Sequence, residues 1–379
     1  MSDHTVGIVT INDDSNYGNR LQNYALQEVV RSLGWEPETL VNAPPAWDRS
    51  LRTRRIMHEI REDLPALTHR AADRVRSRVL RGGPEAPSFL ALRRSAIREF
   101  ARTHLQTSPH AFSAMPADYW ADRYAYAIAG SDQVWNPTYR RAQGIDFLDF
   151  VGEPRRIAYA ASFGVERVPG YLRSRYRGWL QGIPHLSVRE STGRRIVADL
   201  TGRDIPVVLD PTLVVNRAVW DRLIAAQPLI NAEPHAVRFF LGRPTPAQDA
   251  WMERHAAVSG LAVVDLHSLD QEAFADVDPA GFIAAIARAE VVYTDSFHAG
   301  IFALLHRRPI VLRSRFDRDA RWQELLSQHA LTTRPTGVEG LQTVAEADWE
   351  AVEARRGALR AEALDFLAHA LDPSVGRPG

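Results

Sequence analysis

Short apolar runs alternate along most of this chain with longer stretches whose apolar positions recur every three to four residues. The first run, Val6–Ile11, gives way to a polar turn, Asn12 to Ser15. From Asn19 to Leu33 the apolar residues Leu21, Ala25, Leu26, Val29, Val30 and Leu33 fall on one helix face. Gly34 predicts the end of that helix, and Glu38–Val41 reads as the next strand. Strand, turn, helix, glycine, strand is the opening of an open α/β domain. Ligands of such domains bind at the carboxyl ends of the strands.

The rhythm breaks at about 48–110. Arginine is dense in 48–81, Gly82-Gly83-Pro84 interrupts, and Phe89–His104 regains helical spacing. This predicts an Arg-rich helical insertion, its 48–81 part facing solvent, a partner subunit or an anionic lipid-linked acceptor. Strands are again predicted at Tyr124–Ala129, Arg156–Ala161, His185–Val188 and Val207–Leu209. Residues 213–234 read as a crossing. Beyond it, Ala236–Leu241, Leu261–Leu266, Val291–Thr294 and Pro309–Leu312 predict strands. Pro246–Val258, Asp278–Ala289, Ala299–Leu305, Trp322–His329 and Asp348–Ala368 predict helices. The expectation is an α/β protein of two halves facing a cleft: residues 1–215 with the insertion, and 235–379 with a closing C-terminal helix.

Composition narrows the function. The 379 residues are long for one core, which suits two domains. Forty-six basic residues balance 46 acidic ones, so the excess typical of a nucleic-acid binder is missing. There is no cysteine, which removes disulfides, thiolate catalysis and Cys-based metal sites. The first residues show neither a basic segment nor an apolar core of signal-peptide length, and a cytoplasmic protein is expected. No metal is expected. The oligomeric state stays open.

Six stretches carry a resemblance. They are Asn16–Gln27, Gly130–Asn136, Tyr159–Gly164, Ser187–Glu190, Leu209–Leu213 and Asp295–Gly300. In this order they resemble the polysaccharide pyruvyl transferase family. The resemblance implies two Rossmann-like domains in a GT-B-like arrangement, phosphoenolpyruvate as co-substrate, and a sugar, nucleotide-sugar or lipid-linked glycan as acceptor. Peripheral membrane contact would follow from a lipid-linked acceptor. The product would be a pyruvate ketal. Several pyruvyl transferases carry Arg-Leu-His where this chain has Ser296-Phe297-His298.

Ketal formation needs an acid for the methylene carbon, a base for the acceptor hydroxyl, and cationic or N–H groups for carboxylate and phosphate. His298, between a strand and a helix, is the candidate acid or phosphate ligand; a buried histidine bonded to a carbonyl is the alternative. Asp132 is the candidate base, an orienting partner for an arginine, or a turn residue. Asn16, Gly18, Asn19 and Ser131 are candidates for substrate binding, with Asn19 and Ser296 equally placed to cap helices. Arg189 offers a planar fork for the donor and could replace the arginine absent before His298; a local pair with Glu190 competes. Arg243 and Arg313 are weaker phosphate candidates. Tyr17 and Trp135 could stack on the acceptor or sit in the core. Asp210 reads chiefly as a turn before Pro211.

Three other functions stay in play. A GT-B-like glycosyltransferase would use a nucleotide-sugar donor, with Arg243 and the 294–300 loop at its diphosphate. A family outlier would modify a small natural-product intermediate. A glycan-binding or assembly protein would keep the fold without the acid and base.

Overall fold

The computed structural model describes residues 4–42, 89–138, 140, 142–228, 234–266, 274, 276–313, 320–372 and 374. The Arg-rich 48–81 segment lies outside the described residues. Two six-stranded sheets organise the chain. The first holds β1 (Thr5–Val9), β2 (Glu36–Val41), β3 (Thr107–Ala111), β4 (Tyr126–Ala129), β5 (Arg156–Ala161) and β6 (His185–Val188). Its order is β3-β2-β1-β4-β5-β6 and every pairing is parallel. That is the Rossmann order, with its reversal of direction between β1 and β4.

The second sheet holds β7 (His235–Phe239), β8 (Ala262–Asp265), β9 (Val291–Thr294), β10 (Ile310–Arg313), β11 (Thr333–Pro335) and β12 (Leu341–Val344), in the order β11-β12-β10-β9-β7-β8. Its first four strands are parallel, and β12 and β11 add an antiparallel edge. The helices used below are α1 (Tyr17–Ser32), α2 (Phe89–His104), α3 (Ser191–Thr201), α4 (Pro211–Val214), α5 (Arg217–Ala225), α6 (Pro246–Val258), α7 (Pro279–Arg288), α8 (Phe297–Leu305), α9 (Ala320–Gln328) and α10 (Trp349–Ala370).

Alternation along the strands builds the layers. Val6 and Ile8 of β1 point into one core and Val9 into another. The first of these cores is continuous through both halves, joining Ile8, Leu26 and Tyr159 to Val237, Phe282 and Ile301. Tyr17 is part of this junction. Its ring stacks on Phe282 at 4.7 Å and its hydroxyl donates to the Val277 carbonyl at 3.0 Å.

Two sequence expectations change here. The insertion does not reach residue 110: Thr107–Ala111 is the edge strand β3, paired with β2. Its polar Thr-Ser-Pro-His sequence concealed it, and a proline is tolerated at a sheet edge. Ile97 and Phe100 of α2 also belong to the shared core. The closing helix α10, last in sequence, packs back on the first half. Arg356 Nη1 donates to the Leu213 carbonyl at 2.8 Å and Arg360 Nε to that of Val214 at 2.6 Å.

Candidate active site

Both sheets place polar loops at their reversal points. After β1, Asn16 caps α1 by accepting from Asn19 N at 3.4 Å. Asn19 turns its side-chain amide onto the Asp132 carboxylate, which lies after β4. Gln22, one turn on, donates to Thr10 Oγ1 at 2.8 Å, and Thr10 donates to the Ser131 carbonyl at 3.1 Å. A chain of bonds therefore ties the two strand ends together. Asp132 has a φ of 74°, a left-handed conformation that aspartate tolerates better than most residues. Its Oδ1 accepts from Gln133 N at 2.8 Å.

Arg189 follows β6 and is 3 % exposed. Its Nη1 donates to Asp210 Oδ2 at 2.8 Å. Nη2 lies 3.6 Å from Asp132 and Nε 3.8 Å from Glu190. The guanidinium also covers the Phe297 ring at 4.7 Å. Three carboxylates thus surround one cation. For Arg189 the sequence offered a fork for an anionic donor or a local pair with Glu190; the structure places it buried among three carboxylates, Glu190 included. Glu190 receives Ser162 Oγ at 2.9 Å and Phe163 N at 3.3 Å on one oxygen, and burial raises its carboxyl above the usual range.

Asp210 is the residue that sequence reasoning undervalued. Its Oδ1 accepts from Thr212 N at 3.0 Å and Thr212 Oγ1 at 2.7 Å, the cap expected of Asp-Pro-Thr. Its Oδ2 collects Ser131 Oγ at 2.8 Å and Arg189 Nη1. Burial favours the neutral acid, yet His298, Arg189 and Thr212 hold the carboxyl well below the usual range. The turn at Asp210-Pro211 was visible in the sequence. The long-range partners were not.

From the second half, Ser296 caps α8, and His298 sits in the first turn of that helix. Its Nε2 lies 3.8 Å from Asp210 Oδ2. A side chain on Gly18 would put its Cβ 2.2 Å from His298 Nδ1, so the ring lies directly against the head of α1. Asp295 accepts from Leu241 N at 2.6 Å, Gly242 N at 3.1 Å and Arg313 Nη1 at 3.0 Å, and so sets the loop after β7. Arg313 also donates to Gln248 at 3.0 Å and serves that frame. Arg243 is exposed on the same loop, and among the described residues no bond ties it to the cluster.

Of the two places the sequence left open for Trp135 and Tyr17, acceptor face or core, the structure puts both rings in buried packing. Trp135 is 0 % exposed, donates to the Asp146 carbonyl at 2.9 Å and stacks on Phe147. Tyr17 is closed into the junction of the halves, and burial pushes its phenol up to about 12. An aromatic residue beside a polar motif has the same sequence signature whether it faces core or ligand.

Residues 16–315 match the family model for polysaccharide pyruvyl transferases. The chain belongs to the polysaccharide pyruvyl transferase family. It is a transferase of the pyruvyl-transfer type, with phosphoenolpyruvate as co-substrate and sugar hydroxyls of a glycan as acceptor. In this pyruvyl transferase every residue of the cluster, from Asn16 to His298, lies within the matched span, whereas α10 lies beyond it. Among the described residues, no group of three or more His, Asp or Glu is placed to hold a metal ion, and no helix is long and apolar enough to cross a membrane. A search of curated proteins gave no match. Among solved structures, the UDP-GlcNAc 2-epimerase from Neisseria meningitidis, bound to UDP-GlcNAc, resembles the pyruvyl transferase at 9 % identity and a TM-score of 0.47. That likeness covers 97 % of this chain and 99 % of the epimerase chain.

Proposed function

We propose that pyruvyl transfer takes place where the two halves meet, in a GT-B-like cleft around His298, Asp132, Arg189 and Asp210. One observation supports this site above others. Among the described residues, Arg189 Nε and Nη2 and Glu190 Oε2 are buried without a hydrogen-bond partner, and they lie beside His298, whose Nε2 faces Asp210. Orphaned buried polar atoms are destabilising and rare. Their concentration beside His298, which comes from the other half, suits a site completed by a polar ligand.

In this reading His298 gives a proton to the methylene carbon of the enolpyruvyl group. Positive charge develops at the neighbouring carbon, and an acceptor hydroxyl oxygen bonds to it. The hydroxyl proton passes to Asp132. The bond from that carbon to the phosphate oxygen then breaks, phosphate leaves with the proton that Asp132 had taken, and a second sugar hydroxyl closes the ketal by bonding to the same carbon and releasing its proton to solvent. Arg189 holds Asp132, Glu190 and Asp210 in place. Arg243, with the amino end of α8, supplies positive potential for the donor's carboxylate and phosphate. Nucleotide-linked and lipid-linked glycan precursors both present the paired hydroxyls that the ketal requires.

The test is incubation with phosphoenolpyruvate and a panel of sugar, nucleotide-sugar and lipid-linked acceptors, read by mass spectrometry and phosphate release. A ketal product with stoichiometric phosphate is expected, and His298→Ala should lower its rate by about 100-fold or more. An unimpaired His298→Ala enzyme would remove the acid assignment.

A further inference from the structure

Asp210 has a place in this chemistry that its cap alone does not explain. Thr212 fixes one oxygen through two bonds, and Pro211 sets the backbone on entry to α4. Tyr159 donates to the Leu209 carbonyl at 2.9 Å and fixes the peptide before it. The second oxygen is aimed by Ser131 and Arg189 and points at His298 Nε2, 3.8 Å away. That nitrogen is buried and, among the described residues, has no hydrogen-bond partner. A shift of roughly 1 Å would turn the approach into a hydrogen bond. The opposite nitrogen faces the side-chain-free backbone of Gly18. The two ring nitrogens therefore meet different surroundings: Nε2 faces a fixed carboxylate, Nδ1 lies against the glycine backbone at the head of α1, and of the two only Nε2 is buried without a hydrogen-bond partner among the described residues.

We propose that Asp210 is the positioning residue of the acid: it binds the Nε2–H of His298 and leaves Nδ1 as the nitrogen that delivers the proton. The proposal rests on the pyruvyl-transfer reading above. A carboxylate accepts hydrogen bonds only, so the proton it engages stays on Nε2 and the exchangeable one is on Nδ1. When Nδ1–H gives its proton to the methylene carbon, the ring is left neutral with its remaining proton on Nε2, bonded to Asp210. Solvent returns a proton to Nδ1 before the next turnover. Arg189 belongs to the same device, because it holds Asp210 Oδ2 in line. The carboxylates of Asp132 and Glu190 face that guanidinium in turn.

The experiment uses the full chain labelled with ¹⁵N in its histidines, with His298 identified by the signals lost in His298→Gln. At a pH where the ring is neutral, the pattern of a proton on Nε2 is expected. Asp210→Asn keeps an oxygen for the Thr212 cap but loses the charge. It should lower kcat by about 100-fold with the KM for phosphoenolpyruvate changed less than about threefold, and its His298 should become a mixture of tautomers. A defect in folding alone would lower the active fraction without altering the tautomer of the folded molecules. A proton on Nδ1 in an active wild-type enzyme overturns the role of Asp210, as does a folded Asp210→Asn with full kcat. If Asp210→Asn does not fold, the wild-type tautomer decides the question. Wild-type protein that turns over no phosphoenolpyruvate overturns the reaction reading, and this proposal with it.

Discussion

Gly18 shows how much one missing side chain can decide. In the first turn of a helix, alanine is ordinarily favoured over glycine by about 1 kcal/mol. Here the added methyl would fall 2.2 Å from His298 Nδ1, well inside contact distance. Gly18→Ala should therefore displace the imidazole and lower kcat by at least about tenfold, while the melting temperature changes little because helix propensity offsets the clash. Turnover and thermal melting of the same preparation check this, and full activity would show that the ring is not pinned against α1. His306, at the far end of α8, bears on pH stability instead. Burial, with Arg217 and Arg308 nearby and Asp221 in partial compensation, pushes its imidazole down from 6.5 to about 4. The folded value is the lower one, so the unfolded chain takes up the proton first as pH falls. The contribution of neutral His306 is complete above about 6.5 and is lost between there and about 4, about 3 kcal/mol at most. Denaturant melts at about pH 7.5 and 4.5 should show a smaller acid loss in His306→Gln than in wild type. Equal losses would assign the acid sensitivity to other groups.

Among the elements, β5 and β6 show how a strand irregularity serves a site. The register between them shifts between Ala158 and Ala161, and Ala160 has a φ of 49°. The groups that the bulge leaves without ladder partners are met by Ser187: its hydroxyl accepts from Ala160 N at 3.1 Å and donates to the Ala158 carbonyl at 2.9 Å. Bulges redirect the residues that follow them. Here Ser162 and Phe163 are turned toward Glu190. Ser187→Ala would leave a buried N–H and a carbonyl with reduced bonding and should destabilise the fold by about 1 to 3 kcal/mol, measured by denaturant unfolding. A loss below about 0.5 kcal/mol would mean that the bulge relaxes without the hydroxyl. Local rhythm explains what was readable beforehand. Arg156–Ala161, His185–Val188 and Val291–Thr294 coincide with observed strands because each is a short apolar run closed by polar residues. Helix α6 announces itself through Pro246 and the reciprocal cap of Thr245 and Gln248. Strand β3 carries no such rhythm. The candidate cluster was half legible: Asn19, Asp132 and His298 stand out in the sequence as polar residues in the loops after strands. The converging role of Asp210 depends on Ser131, Arg189 and His298, which are distant in sequence, and no local pattern encodes that meeting.

At the scale of the molecule, the two sheets do not behave as separate bodies. They share one core through α1, α4, α7 and α8. Glu324 of α9 reaches from the second half to the amino end of α3 in the first, accepting from Ser191 N at 2.9 Å. Helix α10 runs back across the junction, where Arg356 and Arg360 satisfy carbonyls at the end of α4, the residues that lead out of the Asp210 cap. Cations at a helix carboxyl end are favourable, and charge-assisted bonds are stronger than neutral ones. A molecule built this way should unfold as one unit although its sheets are each large enough to be domains. Calorimetry should give a single transition whose calorimetric and van't Hoff enthalpies agree. The double variant Arg356→Ala with Arg360→Ala should lower stability by about 2 to 4 kcal/mol and still melt once, because the shared core remains. Two resolved transitions in the wild type would contradict the shared core as the source of cooperativity. Two transitions only in the double variant would place that source in α10, and with it the alignment of Asp210 toward His298.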